Sequence, residues 1–178
     1  IKAQIWAGGR GKAGGIKFAN NPGEAEAVAK ELLGSVIKNL TVEKVLVEEK
    51  LNIDKEYYAG VIIDASREVR APIVMFSTEG GVEIESVPSE KIAQTAVNVI
   101  RGFRLYDALN LAVQLKVPTK ILPSVAQAIM GLFQTFRGYN CRTAEINPMV
   151  ITKEGKIFAG DCRMAIDDSS VFRHPELG

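Results

Sequence analysis

Near the start of the chain, Gly8-Gly9-Arg10-Gly11-Lys12-Ala13-Gly14-Gly15 places five glycines and two cations in eight residues. A backbone without Cβ atoms lets N–H groups approach an anion closely. Arg10 and Lys12 supply positive charge for the same anion, so the run reads as a phosphate cradle rather than an ordinary surface turn. A second constellation lies near the end. Glu145, Asn147 and Asp161 are oxygen donors of the kind that hard Mg²⁺ takes, alongside phosphate oxygens, at nucleotide sites. Glu145 and Asn147 stand two residues apart and so project from one face of a strand. The segments Ala144–Ile151 and Lys156–Asp161 read as a hairpin folded about Glu154-Gly155, which sets position 161 opposite roughly position 148, close to Asn147. The plainer alternative is a polar hairpin face at a sheet edge. The apolar neighbours Ile146, Met149, Phe158 and Ala159 argue against a fully solvated location.

The neighbours of the glycine run discriminate among phosphate-binding motifs. Gly9-x-Gly11-x-x-Gly14 has the Rossmann spacing, but that motif opens a helix, and here Ile16-Lys17-Phe18-Ala19 reads as a strand. In a Walker loop Gly-Lys precedes Ser or Thr; here Ala13 follows, and Trp6 stands where the first glycine belongs. A protein kinase places this spacing in a hairpin, as here, yet the single histidine, His174, precedes Pro175, and Asp161-Cys162-Arg163 is not Asp-Phe-Gly. A glycine-rich β-hairpin over phosphates in a non-kinase enzyme remains.

The positioning elements follow from periodicity. Ile1–Trp6 alternates as a strand into the loop. Asn21-Pro22-Gly23-Glu24 starts a helix carrying Val28, Leu32 and Leu33, which stops at Gly34. Val45–Glu48, Tyr57–Ile63 and Ile73–Phe76 read as strands too closely spaced for crossover helices, hence mostly antiparallel. Ser89 is expected to cap a helix bearing Ile92, Ala96 and Val99. A second helix is expected near Leu105, Leu109 and Ala112, and a third behind a Ser124/Gln127 capping box with Val125, Ile129, Phe133 and Phe136 on one face. The result is an α+β order with mainly antiparallel sheets in two lobes, 1–88 and 89–178, divided between about Ser86 and Ser89.

Composition narrows the classes. Hydrophobic residues make up 47% of the 178 and charged residues 24%, the mix of a globular protein. The net charge of +1 lacks the basic excess of a nucleic-acid binder. No run of about 18 uncharged apolar residues offers a membrane-spanning helix. Two cysteines, Cys141 and Cys162, fit a reducing compartment. The lone His174 leaves little for a Ser-His-Asp or multi-histidine zinc site. The chain begins at Ile1, already inside a strand, and reads as a piece of a longer polypeptide.

The motifs in order are Lys2-Ala3-Gln4 with Ala7–Gly15, Ser77-Thr78-Glu79-Gly80-Gly81-Val82-Glu83-Ile84-Glu85, Ala144-Glu145-Ile146-Asn147-Pro148, and Asp167-Asp168 with Phe172-Arg173-His174-Pro175-Glu176-Leu177. Together they resemble the ATP-grasp region of the β subunit of succinyl-CoA synthetase (succinate–CoA ligase). The likeness covers nearly the whole chain. It implies an ATP-grasp fold whose N-terminal start, like the CoA-ligase domain beyond it, is missing from this sequence. It also implies roles. Lys2 resembles the strand lysine on nucleotide phosphates, and Gly9, Arg10 and Gly11 the phosphate-loop contacts. Glu48, with backbone from Leu51, resembles the adenine hinge, and Glu56 the acidic group on the ribose. Asn147 and Asp161 resemble the Mg²⁺ ligands, with Glu145 beside the transferred phosphate. The segment at Thr78–Gly81 lies toward the active-site side in the family and receives no defined role. Two departures stand out: Trp6 replaces a frequent histidine, and Arg163 replaces a usual lysine, keeping charge but bringing a planar fork.

The implied reaction is reversible ligation of succinate and CoA, driven by ATP or GTP through a phosphohistidine on an α subunit that also carries the CoA site. His174 is not that histidine, so the chain needs its partner. Alternatives in the same superfamily are malate–CoA ligase and the matching part of ATP-citrate lyase. A non-catalytic docking remnant is a third; retention of Lys2, Arg10, Asn147 and Asp161 disfavours it. A bacterial cytoplasm and an organelle matrix both fit.

Overall fold

The computed structural model describes residues 1–64 and 70–177. They form two compact units, Ile1–Leu51 and Asn52–Gly178.

In the first unit the alternation at the chain start turns Ile1 and Ala3 inward and builds strand β1 (Lys2–Gln4). Helix α1 (Pro22–Leu32) starts as its sequence predicts: the Asn21 side chain accepts from the Glu24 N–H at 2.9 Å, and Pro22 occupies the first turn. Donors from the Asn20 backbone and side chain hold the Glu24 carboxyl below the usual carboxylate range. Two short strands, β2 (Val36–Ile37) and β3 (Leu40–Thr41), form a tight hairpin. Strand β4 (Lys44–Leu46) then pairs antiparallel with β1, Ala3 against Val45. Ile1, Ala3, Leu32, Ile37 and Val42 make the core. The expected strand at Ile16–Ala19 is reduced to one antiparallel bridge, Lys2 to Ile16, with a bond from the Lys17 N–H to the Ile1 carbonyl.

The second unit is a six-stranded antiparallel sheet under two helices. Strand β5 (Ile53–Asp64) lies between β6 (Ala71–Ser77) and β8 (Cys141–Thr152); β7 (Ile92–Ala96) extends the sheet beyond β6, while β9 (Ile157–Ala159) and β10 (Cys162–Ile166) pair with β8. Tyr57, Ala59 and Val61, at period two, join Val74 and Phe76 in the core beneath helices α2 (Leu105–Gln114) and α3 (Leu122–Gly138). The Tyr57 and Phe76 rings meet edge-on, 5.6 Å between centroids. Val125, Ile129, Phe133 and Phe136 of α3 are all buried, as their spacing predicts.

Three further expectations change. The compact units divide at Leu51–Asn52, whereas the sequence places its boundary between Ser86 and Ser89. The reason is that β4 pairs with β1, while β5 and β6 share a sheet with β7, β8, β9 and β10. The segment from Ser89 is not an α-helix: one 3₁₀ turn, Ser89–Lys91, leads directly into β7. Ile92 and Ala96 have helical spacing, but the edge of β6 needs hydrogen-bond partners, and β-branched Ile92, Thr95 and Val97 suit a strand. Helix α3 starts at Leu122, ahead of Ser124, because Pro123 is tolerated in the first turn, where its missing N–H has no partner to lose. Among the described residues, no helix is long and apolar enough to cross a membrane. Cys141 and Cys162 are both free thiols, the first buried and the second exposed.

Candidate functional site

In the first unit the glycine run folds back on itself. The Arg10 carbonyl accepts from the N–H groups of Ala13 and Gly15, at 3.2 and 2.8 Å, and the Ala3 N–H donates to the Gly15 carbonyl at 2.8 Å. Gly15 is closely packed: a Cβ would come within 3.2 Å of both the Arg10 carbonyl oxygen and Ile37 Cδ1. Gly9 and Gly14 adopt positive φ, +65° and +78°. The Arg10 guanidinium donates to the Ala3 carbonyl at 3.0 Å, so this cation is fixed at the base of the loop while Gly8, Gly9 and Gly11 are exposed. Lys2 and Glu48, predicted separately as phosphate and base contacts, form an ion pair with each other. Leu51 is half-buried at the last position of this unit.

In the second unit the residues singled out in the sequence gather at an irregularity of β8. Tyr57 pairs with Met149 but Ala59 with Ile146, so β8 carries one extra residue there. This bulge explains how Pro148 can stand inside a central strand, where its missing N–H would otherwise break the ladder. The Asn147–Pro148 peptide is cis. The same bulge presents Asn147 to the 80–82 segment: its Oδ1 accepts from the Gly81 N–H and its Nδ2 donates to the Val82 carbonyl, both at 2.8 Å. Across the β8–β10 connection, the Asn147 N–H donates to the Asp161 carbonyl at 3.1 Å and the Gly160 N–H to the Pro148 carbonyl at 2.9 Å. The hairpin therefore brings Asp161 opposite Asn147, one position from the place read off the sequence. Gly160 permits the close crossing, since a Cβ there would approach the Pro148 oxygen to 3.0 Å.

Glu145 faces Arg163 in the register with β10. Burial pushes its carboxyl above the ordinary glutamate range, a rise that Arg163 and the Tyr58 hydroxyl oppose and that Glu85 and Glu83 reinforce. Tyr58 Oη lies 3.4 Å from Glu145 Oε2. Burial, then the Glu145 charge, raises the phenol well above its usual value. Tyr58 reaches Glu145 by lying along its own strand over Gly60, where a Cβ would fall 2.2 Å from the phenol oxygen. Replacing Gly60 with alanine is expected to displace Tyr58 and cost about 1–3 kcal/mol in urea unfolding. The same change in a Tyr58→Ala background is expected to be nearly silent, and equal costs in both backgrounds would refute the arrangement.

Glu56 is exposed, and its carboxylate lies beside Gly81, Oε2 within 2.7 Å of where a Cβ would stand. The 80–82 segment thus touches both Glu56 and Asn147. Sequence reasoning noticed the Gly80-Gly81 pair without giving it a role, and missed Tyr58, because Tyr57-Tyr58 reads simply as strand. Among the described residues no group of three or more His, Cys, Asp or Glu is disposed to hold a metal. The Asn147 amide oxygen has a second lone pair beyond the Gly81 bond, and Asp161 adds one carboxylate. That set fits Mg²⁺ held by one or two side chains together with phosphate oxygens, rather than a cation in an all-protein cage.

The profile of the ATP-grasp domain family matches residues 1–151. The chain is 45% identical over 177 residues to the succinate–CoA ligase [ADP-forming] subunit β of Methanocaldococcus jannaschii, covering 98% of this chain and 48% of that one. It is 43% identical over 180 residues to the succinate–CoA ligase [GDP-forming] subunit β of Thermus thermophilus, covering 99% and 47%. The chain thus spans about half the length of these curated relatives. Among solved structures it resembles ATP citrate lyase from Methanothrix soehngenii in complex with citrate and coenzyme A, with TM-score 0.73 and 22% identity, covering 99% of this chain and 41% of that one. That last likeness is one of fold.

Proposed function

This chain belongs to the ATP-grasp family, and from that premise we propose that it is the nucleotide-binding part of a succinate–CoA ligase β subunit. The observation that carries the reading is the pairing of Asn147 with Asp161 across the bulged crossing, with Glu145 two residues earlier. The acid and CoA come from the names of relatives that are 43–45% identical along nearly the whole chain. Those names include ADP-forming and GDP-forming enzymes, so the proposal covers ATP or GTP.

In this reading the loop N–H groups around Gly9 and Gly11 bind phosphate oxygens, with charge from Lys2 and Arg10. Glu48 and Leu51 hold the base and Glu56 the ribose. Asn147 and Asp161 hold Mg²⁺, which when bound neutralises charge on the phosphoryl oxygens. Glu145 stands beside the transferred phosphoryl group. The half-buried setting that raises its carboxyl also gives its interaction with a nearby charge more weight than water would. The acceptor histidine and the CoA site belong to a partner α subunit, in a bacterial cytoplasm or organelle matrix.

Calorimetry on the full chain tests the nucleotide reading. Saturable binding of ADP, ATP or GTP that depends on Mg²⁺ and disappears in EDTA is the expected result. Absence of binding by all three nucleotides in the presence of Mg²⁺ overturns it.

A further inference from the structure

The hairpin of β2 and β3 turns on two residues, Lys38 and Asn39, both at positive φ, +52° and +63°. Two-residue turns of this kind favour glycine, asparagine and aspartate. Asn39 suits the position, whereas a lysine there costs about 1–2 kcal/mol from the clash of its Cβ with the following carbonyl. A residue held in such a conformation points to a function that the turn alone does not require.

The lysine side chain supplies one. Its ammonium donates to the Gly8 carbonyl at 2.7 Å, thirty residues away in sequence. It also lies 3.1 Å from the position a Cβ would take at Gly9. The hairpin is fixed against the other end of the loop as well: Ile37 is buried, and its Cδ1 would stand 3.2 Å from a Cβ on Gly15. Ile37 therefore anchors the hairpin at the base of the glycine loop while Lys38 reaches its exposed Gly8-Gly9 limb. Arg10, by contrast, has its guanidinium on the Ala3 carbonyl at the base. An ammonium carries three donors, of which the Gly8 carbonyl takes one.

We propose that Lys38 is a further phosphate-binding residue: it holds the Gly8-Gly9 limb in place and directs its charge at the polyphosphate of a bound nucleotide. This rests on the nucleotide reading above and deepens it, since it assigns a cation that no motif in the glycine run contains.

The test is calorimetry on the full chain with Mg·ATP and with AMP, at two salt concentrations. Lys38→Met keeps the length of the side chain and removes its charge. It is expected to weaken Mg·ATP by about tenfold, to leave AMP within about twofold, and to flatten the salt dependence of ATP binding. Lys38→Arg is expected to recover most of the ATP affinity. Asn39→Gly, which relaxes the same turn, is expected to leave binding unchanged, with thermal melting confirming that each variant folds. If wild type binds Mg·ATP and Lys38→Met binds it equally well, the role of Lys38 is overturned and the nucleotide reading stands. If Lys38→Met weakens ATP and AMP alike, the residue shapes the loop and the charge role is overturned. If wild type binds no nucleotide, the reading beneath the proposal falls as well.

Discussion

Gly80→Ala is expected to destabilise the second unit by about 3 kcal/mol or more, at the upper end of what overpacking costs. The added methyl would fall 2.3 Å from the Tyr57 carbonyl oxygen, 2.5 Å from its carbon and 2.7 Å from its nitrogen. These are backbone atoms of the central strand β5, which cannot move as the tip of a side chain can. The bond from the Gly80 N–H to the Glu56 carbonyl, 2.9 Å, would break first. The fully buried Ser77 hydroxyl would next lose its contact with the Glu79 N–H, 3.1 Å away. Displacement of the segment would also withdraw the Gly81 N–H from Asn147, so nucleotide affinity is expected to fall together with the melting temperature. Neighbouring positions supply the controls. At Gly81 the clash is with the movable Glu56 carboxylate, and the cost of alanine comes chiefly from φ of +71°, about 1–2 kcal/mol. At Gly131, inside α3 with nothing near the added methyl, alanine is expected to stabilise the chain by about 0.5–1 kcal/mol. Urea unfolding of the three variants should give that order and that change of sign. Equal midpoints for Gly80→Ala and Gly131→Ala would remove the argument.

The contrast between Gly80 and Gly81 marks where sequence reading stops. A glycine pair is visible as a pair, but which backbone it rests on depends on a strand more than twenty residues earlier. The hairpin about Glu154-Gly155 was legible because its register is local: a turn glycine at φ +81° and two alternating strands put Asp161 beside Asn147 to within one position. The missing position lies in the turn: Thr152 bonds to Lys156 around three residues, 153–155, and that register continues unbroken from Ile151 opposite Ile157 to Ile146 opposite Cys162. The bulge lies instead between β8 and β5, and Pro148 hinted at it, since a proline in a central strand needs such a defect. The glycine loop and α1 were legible for the same local reason. Strand β7 was not, because Ile92 and Ala96 satisfy a helical period and only the open edge of β6 decides otherwise. Tyr58 was hidden for a related reason. Its partner, Glu145, lies 87 residues away, and the space for its ring comes from a glycine whose role is steric rather than conformational.

Asp161→Ala is expected to weaken Mg²⁺-dependent nucleotide binding by tenfold or more, about 1.4 kcal/mol for each factor of ten, while lowering the melting temperature less than Asn147→Ala does. The two halves of this expectation have separate causes. Asp161 meets Asn147 through backbone groups, the Asn147 N–H and the Asp161 carbonyl, so that pairing survives truncation of the side chain, which costs the bond its carboxylate takes from the Cys162 N–H at 3.2 Å. In the proposed site the carboxylate brings charge to a cation for which Asn147 provides an amide oxygen, with Glu145 nearby. Asn147→Ala should behave differently. Its side chain bridges the Gly81 N–H and the Val82 carbonyl, so its loss is expected to lower the melting temperature as well as affinity. Asp161→Asn, which keeps an oxygen and removes the charge, should fall between wild type and Asp161→Ala. Titrations in EDTA separate direct from metal-mediated effects: without Mg²⁺, wild type and Asp161→Ala should bind nucleotide equally weakly. If Asp161→Ala instead retains wild-type affinity in Mg²⁺, the bulged crossing is not the metal site. The pairing of Asp161 with Asn147 would then be a consequence of hairpin register alone, and the cation would have to be sought among the acidic groups of the 79–85 segment.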